Sequence, residues 1–299
     1  MTQQSGTVLI TGATGFIGNL LRKRLLRDHC AVRCLVRTAV VSSNDGAEIV
    51  QGDLLEPATL GKALKGVDTA YYLVHSMSGG RAGFERRDRE AAENFVAAAN
   101  RAGVRRVIYL GGLGETGDEL SEHLKSRLEV ADILKTGHFA TTTLRAAIII
   151  GAGGASFEMV KSLVEHLPLM ITPRWVTTRC QPIAVSDVIE YLAGCLVDER
   201  TTGRTFDIGG MDVLTYKEMM ERMAKVVGKR LYILPVPVLT PKLSSYWVAF
   251  ITPVPASVSM PLIEGLKNEV ICRESAIRDI IPLQLTPYEE AVRRALQGG

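Results

Sequence analysis

Three glycines with a fixed spacing stand near the start of the chain, within the stretch TGATGFIG at positions 11–18. Gly12 permits a tight turn, Gly15 lets the backbone approach a pyrophosphate, and Gly18 lets the next helix pack closely on a sheet. An apolar run precedes this stretch and a helical pattern follows it, so bound phosphates would meet the free N–H groups and positive dipole end of a helix N-terminus. The motif therefore predicts a dinucleotide site, although an ordinary glycine-rich turn has the same composition.

The choice between the two nicotinamide dinucleotides depends on the end of the second predicted strand, about twenty residues further on. An acidic residue at that point would bind the ribose 2′-hydroxyl of NAD. This sequence has Arg37 there instead, and a guanidinium can form a charge-assisted, bidentate contact with a 2′-phosphate. NADP is therefore the predicted cofactor and NAD the second choice. The alternative is that Arg37 is a solvated loop cation.

Further candidate residues follow the third, fourth and fifth predicted strands. The carboxylate of Asp53 can accept a hydrogen bond from the adenine amino group, or it can cap a turn. His75 stands at the sheet edge where open α/β sheets bind ligands; it can exchange a proton near neutral pH, or it can be a structural histidine lining the channel. The residues predicted to contact the dinucleotide are Gly12, Thr14, Gly15, Phe16, Ile17, Gly18, Arg37, Asp53, Leu54, Leu73, Val74, His75, Gly111 and Gly112.

The elements that position these residues are indicated by apolar runs alternating with longer helical patterns. This alternation predicts an α/β fold with a doubly wound parallel Rossmann sheet and a smaller C-terminal substrate lobe. Strands are predicted over 7–10, 31–36, 48–50, 69–74, 106–110, 141–150 and 206–208, and a helix over about 186–196. The predicted boundaries are 1–155 and 178–210 for the Rossmann domain, and 156–177 and 211–299 for the smaller lobe.

Two predicted helix starts mark the smaller lobe. Each has a threonine at the N-cap and a glutamate three residues later: Thr215 with Glu218, and Thr286 with Glu289. Pro287 would occupy the first helical position of the second helix. Between them, the stretch 240–250 can present apolar side chains on one helix face, either as a wall over an apolar substrate or as packing of the lobe: Leu243, Tyr246, Trp247 and Phe250.

The bulk composition limits the classes of function. The chain has 299 residues, of which 46% are hydrophobic, and this is enough for a packed core. The formal net charge is only +3 and like charges form no long run, so the predicted partner is a small molecule rather than nucleic acid. Five cysteines without a Cys-x-x-Cys pair predict free thiols and no metal. Neither a signal peptide nor an apolar stretch of ~20 residues is evident, which predicts a cytoplasmic protein without a transmembrane segment.

With these motifs the sequence resembles the extended and atypical short-chain dehydrogenases/reductases. The resemblance covers nearly the whole chain and depends on the glycine motif, on Gly52 with Asp53, and on the stretches QPIAVSDV at 181–188 and GRTFDIGG at 203–210. Within that family the sequence is similar to NmrA-type sensors and to the NADPH-carrying accessory subunit of respiratory complex I. The resemblance implies the Rossmann fold and the cofactor, but it does not imply one chemistry.

Ordinary members of that family use a Tyr-x-x-x-Lys pair and a hydroxyl residue after the fifth strand. There the phenol protonates the carbonyl oxygen, and the ammonium lowers the phenol pKa and binds the nicotinamide ribose. By resemblance, Lys125 is the lysine, Ser121 stands in place of the tyrosine, and Gly111 with Gly112 replaces the hydroxyl residue. The candidate catalytic residues are therefore Lys125, Ser121 and His75. Lys125 can alternatively form a surface pair with Glu129.

Two functions are consistent with this sequence. The first is an NADP(H)-dependent reductase of atypical mechanism that acts on a carbonyl or alkene of a mostly apolar molecule. The second is a non-catalytic NADP(H)-binding protein, a sensor or an accessory subunit with a degenerate active site. The missing tyrosine favours the second function, whereas Ser121 and His75 at the expected site favour the first. The substrate and the oligomeric state stay open; a homo-oligomer is compatible with the sequence.

Overall fold

A parallel sheet of seven strands forms the centre of the molecule. The computed structural model describes residues 6–38, 45–75, 83–114, 122–236 and 268–298. The strands are β1 (Thr7–Thr11), β2 (Val32–Val36), β3 (Glu48–Gln51), β4 (Val67–Tyr72), β5 (Arg106–Gly112), β6 (Ala140–Ala146), β7 (Ile149–Ile150), β8 (Leu169–Pro173), β9 (Arg179–Cys180), β10 (Ile183–Ala184), β11 (Thr205–Ile208), β12 (Leu214–Thr215) and β13 (Tyr232–Val236). The sheet order is β11-β6-β5-β4-β1-β2-β3, and its strand pairs are parallel. The predicted doubly wound α/β fold is therefore confirmed.

Helices cover both faces of this sheet. The helices of the described residues, on the sheet and in the smaller lobe, are α1 (Phe16–Arg27), α2 (Pro57–Leu64), α3 (Phe84–Ala102), α4 (Glu122–Lys135), α5 (Ala155–His166), α6 (Val185–Val197), α7 (Tyr216–Val226), α8 (Ala276–Ile280) and α9 (Tyr288–Leu296). Neighbouring residues of β1 point to opposite faces: Ile10 packs in a core with Leu21 of α1, and Leu9 packs in another core with Phe95 of α3. Because both faces are covered, the middle of β1 is apolar on both sides, with Val8, Leu9 and Ile10 all buried.

A third core lies outside the sheet. It is formed by α5, α7 and α9, whose side chains Phe157, Met219 and Val292 are fully buried together. This core corresponds to the smaller lobe that the sequence predicts; the predicted domain boundaries themselves stay a prediction.

The predicted strand over 141–150 is wrong in one respect, because it is two strands. β6 ends at Ala146, whose carbonyl accepts a hydrogen bond from Leu113 N at 2.8 Å. β7 then pairs with β10, outside the seven-stranded sheet. An apolar run gives no information about which partner each part of it pairs with, so one long strand and two short ones have the same pattern.

The two predicted helix starts of the smaller lobe have different outcomes. Thr215 caps α7 as predicted, with its hydroxyl accepting from Glu218 N and the Glu218 carboxylate accepting from Thr215 N. Thr286 does not cap α9, because its N–H and hydroxyl both donate to the buried carboxylate of Asp187, at 2.7 and 2.8 Å. The N-cap of α9 is Pro287, one residue later in the chain than the predicted cap Thr286. The buried carboxylate of Asp187 requires hydrogen-bond donors, and its two bonds from Thr286 replace the predicted cap.

The cysteines are free thiols, as predicted, and three of the five are buried. Among the described residues, no helix is long and apolar enough to span a membrane. The stretch 240–250 and Ser121 lie outside the described residues.

Candidate functional site

The turn between β1 and α1 has room for glycine alone at two positions. Gly12 has a φ of +71°, and a Cβ added there would lie 2.8 Å from the carbonyl oxygen of Leu73. A Cβ on Gly18 would overlap the backbone of Gly12. Because these positions have no side chain, the first turn of α1 can pack against the ends of β1 and β4. This is the tight turn and close packing that the motif predicts.

The N-terminus of α1 fits a pyrophosphate. Its N-cap is Gly15, and in the described part of the chain no side chain caps this helix and no acidic residue occupies its first turn. The first N–H groups and the positive end of the helix dipole are therefore available to an anion. A Cβ on Gly15 would lie only 3.2 Å from the carbonyl oxygen of Gly12, so a side chain there would also be crowded.

Two cavities lie at the carboxyl ends of the strands, on either side of Leu73. The larger, here called the outer cavity, has about 650 Å³ and is lined by these predicted residues: Gly12, Thr14, Gly15, Arg37, Asp53, Leu54, Leu73, Val74 and His75. The smaller, the inner cavity, has about 230 Å³ and is lined by Phe16, Ile17, Leu73, Gly111 and Gly112 together with Arg127, Ala146, Ile149 and Ala155. The two share Leu73, so together they form one elongated groove suited to a dinucleotide.

The outer cavity contains two arginines. Arg37 follows β2 with an exposed side chain, and its carbonyl accepts a hydrogen bond from Gln51 Nε2 at 3.2 Å. Arg87 is half-buried on α3 and lines the same cavity. Arg87 was not predicted as a site residue, because it is one of several charged residues on a helix. Such a pattern usually indicates a solvated face.

Of the two contacts that the sequence left as alternatives for Asp53, the structure shows the turn cap. Asp53 Oδ1 accepts a hydrogen bond from Leu55 N at 2.9 Å, so the side chain caps the turn before α2. It also lines the outer cavity, close to where adenine is predicted to bind. The adenine contact stays a prediction.

His75 belongs to a buried polar cluster. Its Nδ1 lies 2.8 Å from Asp88 Oδ2, and Ser126 Oγ donates to the same oxygen at 3.2 Å. Burial, with the positive charge of Arg127, lowers the pKa of His75 to about 4, and the hydrogen bond to Asp88 opposes this shift. The ring is therefore neutral at pH 7, with Nδ1–H donating to the carboxylate and Nε2 acting as an acceptor. A cationic acid at this position is not supported.

Helix α4 brings Arg127, rather than Lys125, to the inner cavity. Lys125 is exposed, and it is absent from the described linings of both cavities. Arg127 donates from Nη1 to the carbonyl of Leu110 at 3.1 Å, and its buried Nε has no hydrogen-bond partner. Since Arg127 lines the inner cavity, a ligand oxygen there would meet the guanidinium rather than this enclosed Nε. A cofactor role for Lys125 stays a prediction.

Gly112 explains why α4 can approach the sheet so closely. A Cβ at Gly112 would lie 3.2 Å from Leu124 Cδ2 and 3.9 Å from Arg127 Cγ. Leu124 and Arg127 are three residues apart and so share one face of α4. The glycine pair at the end of β5 was a signal for this approach, although the sequence alone did not indicate which side chain of α4 it admits.

Comparison with known proteins agrees with this geometry. Residues 12–149 match a family model described as NAD(P)H-binding. Divinyl chlorophyllide a 8-vinyl-reductase of Arabidopsis thaliana is 25% identical over 77% of this chain and 60% of its own length. Ceramide reductase of Caulobacter vibrioides is 28% identical over 77% of this chain and 73% of its own length. The Citrobacter sp. triphenylmethane reductase, solved in complex with NADP(H), superposes with a TM-score of 0.78 at 21% identity, over 97% of this chain and 99% of that one.

The sheet order, the glycine turn and the matched family model together define an NAD(P)H-binding Rossmann protein. These findings agree with the resemblance to the atypical short-chain dehydrogenases/reductases that the sequence indicates. It spans about 60% of the length of its Arabidopsis relative.

Proposed function

We propose that this chain is an NADPH-dependent reductase that acts on a carbonyl or activated alkene of a mostly apolar molecule. The observation that carries this proposal is the groove formed by the outer and inner cavities, with Arg37 at one end and Arg127 at the other. Relatives of this chain are named as reductases of a vinyl group and of ceramide. Around its glycines the inner cavity is mainly apolar, with Phe16, Ile17 and Ile149 in its wall, which favours an apolar reacting group.

Each part of the groove has a role in binding. The N-terminus of α1 binds the pyrophosphate, and Arg37, with Arg87 close by, binds the 2′-phosphate and so selects NADPH over NADH. Bound NADPH supplies the hydride. Asp53 accepts a hydrogen bond from adenine, and Leu54, Leu73 and Val74 provide apolar contacts along the groove.

The chemistry at the inner cavity differs from that of a Tyr-x-x-x-Lys enzyme. A hydride added to a carbonyl, or to an alkene conjugated with a carbonyl, leaves negative charge on oxygen. The guanidinium of Arg127, which lines the inner cavity, stabilises that charge. His75 cannot give the proton at pH 7, because its ring is neutral and its N–H is engaged by Asp88. Solvent therefore supplies the proton after hydride transfer.

The test is turnover. Purified protein is mixed with NADPH and a panel of apolar enones, aryl ketones and vinyl-substituted aromatics, and the loss of NADPH absorbance is followed with and without each compound. Substrate-dependent oxidation of NADPH is the expected result. Tight NADPH binding without turnover across the panel would contradict the reductase and would leave an NADPH-binding sensor or accessory protein.

A further inference from the structure

The strands β8 and β13 form a small parallel sheet apart from the central one. Register partners in such a pair point to the same side, and successive residues of a strand point to opposite sides. Met170 and Ile233 are partners, and both are buried in the core of the smaller lobe. The pairs before and after them point away from that core and form what we call the outer face: Leu169 with Tyr232, and Ile171 with Leu234.

The outer face is apolar and exposed. Each of its four side chains is between 55% and 61% exposed. Neighbouring strands lie about 4.8 Å apart and alternate residues of one strand about 7 Å apart, so the four side chains form one continuous patch. Single exposed apolar residues are ordinary on a protein surface, whereas a contiguous apolar patch is typical of an interaction site.

Positive charge lies where the two strands begin. The chain has no acidic residue over 166–173 or over 222–236, the stretches that form these strands and lead into them. Three basic side chains precede β13 and are exposed: Lys225, Lys229 and Arg230. The strands begin side by side, because Tyr232 N donates to the carbonyl of Pro168 at 2.9 Å. This end of the outer face is therefore basic.

The acidic residues next along the chain leave this charge in excess. Lys229 Nζ donates to the backbone carbonyl of Glu165 at the end of α5, and a carbonyl carries no net charge to neutralise the ammonium. The Glu165 side chain is half-buried. On α7, Glu221 lies 3.8 Å from Lys217, one turn before the basic residues. A negatively charged partner is therefore favoured at this end of the sheet.

A second copy of the chain fits the outer face less well than a lipid surface does. Four partly exposed side chains offer only part of the ~800 Å² that each partner buries in a stable complex. A symmetric dimer would also bring two copies of one positively charged surface together, and like charges repel. Attachment to an anionic bilayer increases with both the apolar area buried and the positive charge, and tyrosines such as Tyr232 are typical of the bilayer interface.

We propose that the outer face docks on an anionic lipid surface. Its four apolar side chains enter the headgroup region, and Lys225, Lys229 and Arg230 lie near the lipid phosphates. The protein then lies on the bilayer without crossing it. This inference goes beyond the proposed reductase function and does not depend on it.

The test is cosedimentation of the purified chain with vesicles of phosphatidylcholine alone, or of phosphatidylcholine with about one third phosphatidylserine. We expect binding to the anionic vesicles to be about tenfold tighter or more, because three basic side chains contribute to it. Added salt should weaken that binding, since it screens the attraction. The measurement needs no substrate, so its result is independent of the turnover assay.

Two variants of the outer face test its two features separately. Ile171→Thr combined with Leu234→Thr keeps residues that favour strands, and should weaken binding to anionic vesicles about tenfold or more. Arg230→Gln should weaken it about fivefold, the usual effect of one basic residue near an anionic bilayer. The matched controls are Val197→Thr at the exposed end of α6 and Arg101→Gln on α3, which should both bind as the wild type does. Unfolding curves will verify that the variants fold.

Three results would overturn the proposal: no binding to either kind of vesicle, equal binding to both, or unchanged binding in both outer-face variants. Sedimentation velocity adds a fourth. If the wild type is a dimer and Ile171→Thr with Leu234→Thr is a monomer, the outer face is occupied by a second copy of the chain rather than by lipid.

Discussion

At the scale of single residues, the proposed function assigns the choice of dinucleotide to Arg37. We expect Arg37→Ser to weaken NADPH binding about ten- to a hundredfold and to leave NADH binding nearly unchanged, since one charge-assisted contact is worth roughly 1.5 to 3 kcal/mol. Dissociation constants for both nucleotides, measured by fluorescence titration, will check this. Arg87→Gln is the comparison, because Arg87 lines the same cavity. If only Arg87→Gln loses the preference for NADPH, the 2′-phosphate contact belongs to α3.

Arg127 carries the chemistry in the proposed mechanism. Arg127→Met should lower kcat about a hundredfold or more, the usual cost of removing one donor to a developing oxyanion, with a much smaller effect on NADPH affinity. Arg127→Lys keeps the charge and should retain part of the rate. Steady-state kinetics and NADPH titration, performed on the same samples, separate the two effects. An equal loss of rate and of NADPH affinity in Arg127→Met would argue that Arg127 binds the cofactor instead.

The burial of His75 makes stability depend on pH. Its pKa falls from 6.5 to about 4 on folding. Between these values the unfolded chain binds more protons than the folded protein, so stability should fall as the pH drops from 6.5 towards 4, by an amount on the order of 3 kcal/mol at most. Urea unfolding of the wild type at pH 7 and pH 5 measures this loss. His75→Gln should lose less stability over the same interval, whereas the exposed His138→Gln should follow the wild type.

At the scale of secondary-structure elements, the turn between β1 and α1 depends on the absence of side chains. Gly18→Ala should lower the free energy of unfolding by more than ~1 kcal/mol and weaken NADPH binding, because the new Cβ overlaps the backbone of Gly12. The matched control is Gly61→Ala in α2, where a Cβ meets nothing within 4 Å. That change should stabilise the protein by roughly 0.5 to 1 kcal/mol, since alanine is the better helix former. Similar effects from both substitutions would mean that the turn can accommodate a Cβ at position 18.

The sequence predicted elements well where one local rule was enough. The glycine motif, the alternation of strands and helices, and the cap of α7 by Thr215 each depend on residues close in the chain. It failed where a distant group intervened. Asp187 lies 99 positions before Thr286, and its buried carboxylate took the hydroxyl that would otherwise have capped α9. The positions of Arg87 and Arg127 in the cavity walls were not predicted for the same reason. They depend on how α3 and α4 pack on the sheet.

At the scale of the whole molecule, cofactor binding should stabilise the fold. The groove contains residues from β1, β2, β4 and β5 or the loops after them, so unfolding must destroy it. At an NADPH concentration about 100 times its Kd, the free energy of unfolding should rise by about 2.7 kcal/mol. Urea unfolding with and without NADPH will measure this. Arg37→Ser at the same NADPH concentration should show a smaller increase; an equal increase would mean that Arg37 does not contribute to binding.

The pairing of β11 with β6 has a consequence for the order in which the chain folds. Arg145 and Asp207 are 62 positions apart in the sequence. The chain between them must therefore form a closed loop before β11 can pair with β6. Non-local pairings of this kind form slowly, because the entropy of closing a long loop opposes them. Until β11 arrives, β6 is a bare edge that presents unpaired N–H and C=O groups to any other chain. Refolding should therefore be most prone to aggregation in this interval, before the ion pair between Arg145 and Asp207 has formed.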